Sequence, residues 1–221
     1  MKAGNHIYEG PADLPAELPV FPLEGALLLP RGQLPLNIFE PRYVAMVDDA
    51  IHGDRVIGMI QPKANARSAT PPLFDVGCAG RITSLSETGD GRYLITLSGI
   101  SRFRVIGEVP GTRTYRICRV TAEPFAQDFV ERAGEEAVDR QSLLRALRDF
   151  LDANQLEADW KSVGAATTEA LVNSLSMMSP YGPAEKQALL EAPDLKTRAE
   201  TLVAITEISL ARARDGGAPM Q

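Results

Sequence analysis

Proline and glycine divide this chain at about Phe125. Up to that point they recur every few residues and leave only short segments between them. A proline removes a backbone donor and a glycine loosens the backbone, so long helices have no room there. Beyond Phe125 the interruptions thin out and the apolar residues take on helical spacing. The pattern predicts a β-rich unit over residues 17–125 and a helical unit over residues 126–214. Residues 1–16 and 215–221 read as flexible tails, and Lys63–Pro72 as a surface loop.

In the first part, Tyr93, Ile95 and Leu97 alternate with Leu94, Thr96 and Ser98, a period of two. Phe103 and Val105 alternate with Arg102 and Arg104, which places the aromatic inside and both guanidinium groups outside. Asp90-Gly91 lies between two such runs and suits a tight hairpin. Val76–Glu87, Arg92–Gly99, Ser101–Val109 and Tyr115–Glu123 are therefore expected as consecutive strands of a small barrel or sandwich. One helix interrupts them. Pro41 suits its first position, and Phe39 and Val44 are spaced for a hydrophobic staple. Tyr43, Met46, Val47, Ala50 and Ile51 form its apolar stripe, and Gly53 ends it. Tyr43 is thus expected to be structural, with Arg42 beside it reaching an acidic group or carbonyl.

In the second part, Leu143, Leu144, Leu147, Phe150 and Leu151 make a wide apolar stripe within about Gly134–Ala153. Thr168–Met178 carries Leu171, Leu175 and Met178 at helical spacing. Pro183 opens Ala184–Glu191, and Asp194 caps a last long helix. Each stripe needs a partner, so the expected solution is a helical bundle packed against the β unit.

Composition and motifs exclude several functions. No apolar run reaches the roughly 18 residues of a membrane span, and the N-terminus lacks the apolar stretch of a secretory signal. Two cysteines and two histidines, His6 and His52, are too few for a disulfide framework or the usual zinc sites. This usage suits a cytoplasmic, reducing setting, with no cofactor implied. GxxxxGK[ST], GxGxxG, GxSxG and HExxH are all absent, so neither ATPase nor peptidase activity is expected. His52 reads as a solvated helix-end residue. Asp48 and Asp49 are adjacent and point about 100° apart on a helix, so they form no acid/base dyad. Cys78 and Cys118 read as buried small hydrophobes.

Charge is uneven. Residues 76–121 carry +4, all of the positive charge on arginine, whereas residues 122–221 carry −7. Arg102, Arg104, Arg116 and Arg119 are candidates for a basic stripe that would bind RNA. The net charge of −6 opposes this, and Arg116 and Arg119 have opposite strand parity. Met177, Met178 and Tyr181 lie at a break between two helices, where Pro180 and Gly182-Pro183 force a loop. Methionine-rich corners suit adaptable partner binding. Arg102, Arg104, Met177, Met178 and Tyr181 are therefore the candidate partner-binding residues.

Several blocks resemble the N-terminal, substrate-binding domain of Lon proteases. Leu18 to Tyr43, LPVFPLEGALLLPRGQLPLNIFEPRY, is similar to that family's opening strands and its "P-L-x-I-F-E-P-R-Y" junction. Val76-Gly77, Ala79 and Ile82 resemble its "VGT-x-A-x-I" strand, with Cys78 in place of Thr. Gly91-Arg92-Tyr93, Gly99–Val105 and Tyr115–Val120 resemble its following hairpin and strand. Glu185-Lys186-Gln187, Leu189-Leu190-Glu191 and Arg198 resemble a run in its bundle. The resemblance implies an α+β fold: an N-terminal PUA-like β pseudo-barrel with one inserted helix, followed by a C-terminal helical bundle. The 221 residues hold neither the ATPase nor the Ser-Lys peptidase part of the full protease, which implies the stand-alone form of the domain. It further implies a non-enzymatic module whose partner is polypeptide: unfolded segments, degradation signals or a partner protein. The alternative is an RNA-binding PUA-like protein.

Overall fold

The computed structural model describes residues 1–63 and 70–215. Most of the Lys63–Pro72 loop, and the tail from Gly216 on, lie outside the described residues.

Two short strands open the chain, β1 (Lys2–Ala3) and β2 (His6–Ile7), paired antiparallel. Six further strands are β3 (Glu17–Pro22), β4 (Gln33–Ile38), β5 (Val56–Ile60), β6 (Val76–Glu87), β7 (Tyr93–Glu108) and β8 (Arg116–Thr121). Helix α1 (Pro41–His52) lies between β4 and β5. The bundle follows as α2 (Arg140–Ala153), α3 (Trp160–Ala165), α4 (Thr168–Met178), α5 (Pro183–Glu191) and α6 (Leu195–Asp215). The sheet order is β4-β7-β6-β5-β3-β8, and β7 also pairs with β8. The first half of β7 bonds β4 and its second half bonds β8, so five strands close into a barrel and β4 extends it. β3 and β5 run parallel; the other pairs are antiparallel. The fold is α+β with a helical C-terminal part.

The sequence splits β7 in two at Gly99, but the strand is continuous. Glycine inside a strand can mark a close backbone approach instead of a turn. Here the Leu29–Gly32 segment lies on the strand: Arg31 N–H donates to Gly99 O and Gly99 N–H to Gly32 O, each at 2.8 Å. Gly77 is a second such position. A Cβ there would lie 2.5 Å from both the Met59 carbonyl oxygen and Phe103 Cζ. Gly77→Ala is expected to destabilise the barrel by about 1–3 kcal/mol through overpacking, read as a lower denaturation midpoint with an unchanged slope.

α1 begins at Pro41 and buries Tyr43, Met46, Val47 and Ala50. Phe39 does not form the expected staple. It is 61% exposed, because strand alternation buries Ile38 and turns its neighbour to solvent. In the bundle, α2 starts later than its apolar pattern suggests. Asp139 sets its start by accepting from Gln141 N and Ser142 N, both at 3.0 Å.

Residues 1–16 are not the flexible tail that the sequence suggests. Ala3, Tyr8 and Leu14 are buried in the barrel's apolar cluster with Leu18, Val20, Ile100 and Phe103. Arg81 Nη1 donates to Tyr8 Oη at 3.3 Å and to Asp54 O at 2.8 Å. Two-residue strands carry no readable period, so nothing in the pattern announces this cap. A larger cluster joins the outer barrel wall, α1 and the bundle through Phe21, Leu28, Tyr43, Leu97, Val172 and Leu202. The expected unit boundary at Phe125 falls inside a 3-10 segment, Glu123–Phe129.

A polar joint sits beside that cluster. Arg102 was expected outside, since it alternates with Phe103. Parity does turn it away from the barrel interior, yet it is only 3% exposed. The Glu123–Phe129 segment and the α5–α6 turn cover that face. Asp128 accepts from Arg102 N, Nε and Nη2 at 2.8–2.9 Å. Arg102 Nη1 donates to the Leu190 and Ala192 carbonyls, and its guanidinium lies 4.7 Å over the Phe125 ring. Arg102 is therefore a structural tie between barrel and bundle, not a binding residue.

Candidate functional site

The bundle stripes do not fully cover one another. α2, α4 and α6 leave between them an open apolar groove of about 270 Å³. α2 contributes Leu143, Leu147 and Phe150, and α6 contributes Leu202 and Thr206. Met178, Pro180 and Tyr181 form one wall, and Leu156 also lines the groove.

Local chemistry fixes that wall. Thr167 caps α4 by accepting from Ala170 N at 3.2 Å. α4 ends at Met178 because Ser179, which precedes Pro180, is held in an extended conformation at φ −64°, ψ 142°. Thr206 Oγ1 donates to Leu202 O at 2.7 Å, which leaves it to accept from Tyr181 Oη, also at 2.7 Å. Tyr181 is thereby pinned to α6 with its ring beside the groove. Lys186 Nζ donates to Met177 O at 3.4 Å, and burial lowers the Lys186 pKa below the usual lysine range. Met178 is 81% exposed and Leu156 53% exposed, an unusual degree for large apolar side chains that line a depression.

The sequence candidates separate in space. Met178 and Tyr181 line the groove. Met177 points elsewhere and packs against Gly32, where an added Cβ would collide with it. Arg104 is exposed on β7, level with Val76 and Thr121, and does not line the groove. Phe150, Leu151 and Leu156 were not singled out as binding residues. The only signal for Phe150 and Leu151 was an α2 stripe wider than one partner helix covers, and Leu156, beyond the end of α2, carried none.

The other polar candidates are structural. Asp48 accepts from Tyr93 Oη at 2.8 Å, whereas Asp49 binds Tyr115 and Arg113, so the two carboxylates serve different partners. His52 is exposed and its Nδ1 contacts the Asp48 carbonyl at 2.7 Å. Cys78 and Cys118 are buried free thiols, and burial pushes both pKa values up, away from thiolate chemistry. Arg116 is paired through two bonds with Glu108 at 2.7–2.9 Å. With Arg102 buried as well, the proposed arginine stripe for RNA is reduced to Arg104 and Arg119. Among the described residues no His, Cys, Asp or Glu group is placed to hold a metal ion, and no helix is long and apolar enough to cross a membrane.

Comparison with known proteins gives the family and agrees with the fold. The family model described as the ATP-dependent protease La (LON) substrate-binding domain matches residues 17–207. Lon protease 2 of Myxococcus xanthus is 30% identical over 199 residues, which are 84% of this chain and 23% of that protein. Lon protease of Anaeromyxobacter dehalogenans is 28% identical over 199 residues, again 84% of this chain, and 22% of its own length. The chain thus spans less than a quarter of the length of these curated relatives. Among solved structures, a Lon N-terminal domain protein from Xanthomonas campestris aligns with a TM-score of 0.62 at 21% identity, covering 85% of this chain and 97% of that one. The N-terminal domain of the Mycobacterium avium complex Lon protease aligns with a TM-score of 0.65 at 18% identity, covering 86% and 98%. These two likenesses agree with the α+β fold described above. The family match covers most of the chain, and the chain belongs to the Lon substrate-binding domain family.

Proposed function

We propose that this chain binds polypeptide through the apolar groove between α2, α4 and α6, with no catalytic step of its own. The observation that carries the reading is an open, apolar-lined groove in a member of a substrate-binding family. The occupant is an extended or helical segment that presents apolar side chains, as an unfolded chain or a degradation signal does. Phe150, Tyr181 and Met178 supply broad contact area, and the unbranched Met178 adapts to different sequences.

Met178→Glu tests this without touching the core, because Met178 is 81% exposed. A charge placed on the groove wall opposes apolar burial, so affinity for a permanently unfolded model polypeptide is expected to fall about tenfold or more. Stability is expected to change by no more than about 0.5 kcal/mol. Arg104→Ala, away from the groove, serves as the control and is expected to leave binding unchanged. Unchanged binding by Met178→Glu, together with weakened binding by Arg104→Ala, would move the site to the barrel.

A further inference from the structure

The groove offers apolar walls and few free polar groups. Its lining on α2 runs from Leu143 to Asn154, a length of about 17 Å at a rise of about 1.5 Å per residue. Carbonyls that the helix ends would leave open are taken. Phe150 O accepts from Asn154 N at 3.1 Å, Leu151 O from Leu156 N at 2.9 Å, and Leu175 O from Ser179 N at 3.1 Å. The polar side chains on the walls are engaged as well. Asn154 Nδ2 donates to Phe150 O at 2.8 Å, and Tyr181 Oη and Thr206 Oγ1 bond each other at 2.7 Å. What remains is chiefly the Ser179 hydroxyl and the Asn154 side-chain oxygen.

This shortage decides what can lie there. An extended segment covers about 17 Å with about five residues. It presents roughly ten backbone N–H and C=O groups sideways, toward the two walls. Apolar walls leave such groups without partners, and each one that loses its water opposes binding. A helix bonds its own backbone and offers only side chains. About three helical turns fit the same length, with apolar residues at i, i+3 or i+4, and i+7 turned to the groove.

Charge selects the other face of that helix. Residues 122–221 carry −7, and two of the cations in that sum are turned inward. Arg198 is 4% exposed, and Arg140 donates to the Val163 and Ala166 carbonyls at 3.1 and 2.9 Å. Glu157, the residue after Leu156, is exposed and in no ion pair among the described residues. The bundle surface therefore favours cationic residues beside the groove.

We propose that the groove takes an amphipathic helix with a basic polar face, and not an extended strand. The inference rests on the polypeptide reading above and narrows its substrate class. Segments able to form such a helix are held, and apolar segments barred from helix are passed over.

The test uses the full chain and three labelled peptides of about 15 residues, near the length at which isolated helices become marginal. The first has leucine at i, i+3, i+4 and i+7, with lysine and alanine elsewhere. The second keeps every leucine but replaces one central lysine by proline, which breaks the helix without touching the apolar face. The third replaces the lysines by glutamate. The proline peptide is expected to bind about tenfold or more weakly than the first, and the glutamate peptide about threefold or more weakly. Met178→Glu is expected to weaken the first peptide about tenfold. Equal binding of the first and proline peptides, both weakened by Met178→Glu, would overturn the helix and leave the groove standing. Equal binding of the glutamate peptide would overturn the basic face. Binding of the first peptide that ignores Met178→Glu would overturn the groove reading and this inference together. A chain that is dimeric alone and becomes monomeric with the first peptide would place a second copy in the groove, and would also overturn it.

Discussion

Asp128→Ala is expected to destabilise the protein by about 3–5 kcal/mol, the range for breaking a buried ion pair from one side. The Arg102–Asp128 pair is nearly solvent-free, with side-chain exposures of 3% and 8%. Asp128 is the one carboxylate that Arg102 holds, and it also accepts the Arg102 backbone N–H. Removing it strands a buried guanidinium and one backbone donor together. Arg102→Met alone is expected to strand the carboxylate and cost a similar amount. The double variant Arg102→Met with Asp128→Ala is expected to lose much less than the sum, because it leaves no unpaired charge. Denaturant titrations of the three variants measure this. Strict additivity, or single losses below about 1 kcal/mol, would show that the joint is not a coupled unit.

Tyr43→Ala is expected to cost about 3–5 kcal/mol, as for other aromatic truncations in cores. Tyr43 is 6% exposed and its ring lies 4.3 Å from that of Phe21 at an interplanar angle of 46°. It thereby ties the first turn of α1 to β3. Its truncation leaves a ring-sized gap that a closed barrel cannot collapse to fill. Arg42, stacked 4.6 Å over the ring, bonds Glu40 at 2.8–2.9 Å at the surface and adds little. Binding of polypeptide by the folded fraction is expected to be normal. A normal unfolding midpoint with lost binding would place Tyr43 in a site and not in the core.

What the sequence made legible follows from period and punctuation. α1, α4 and α5 stand close to where Pro41, the Leu171–Met178 stripe and Pro183 put them, because each has a start signal and one covered face. β7 was misread at Gly99 because a glycine needed for close approach looks the same as one needed for a turn. Arg102 was misread for a different reason. Alternation tells which side of a strand a residue occupies, and it does not tell whether that side meets water. The segment that covers Arg102 is 3-10, follows the last strand and has no period of its own. The capping role of residues 1–16 was hidden for the same lack of period. The groove was half legible. Met178 and Tyr181 were marked by the chain break beside them, but Phe150 joins them only through the packing of α2 against α6, and Leu156 only through the segment that follows α2, which one stripe cannot report.

The groove is the centre of the account, and amide exchange of the full chain with and without an unfolded model polypeptide reads it most directly. Protection is expected in three separated segments that meet only in the fold: Phe150–Leu156, Met178–Tyr181 and Leu202–Thr206. Protection confined to the barrel, around Arg104 or the β7–β8 connection, with none in those three segments, would contradict it.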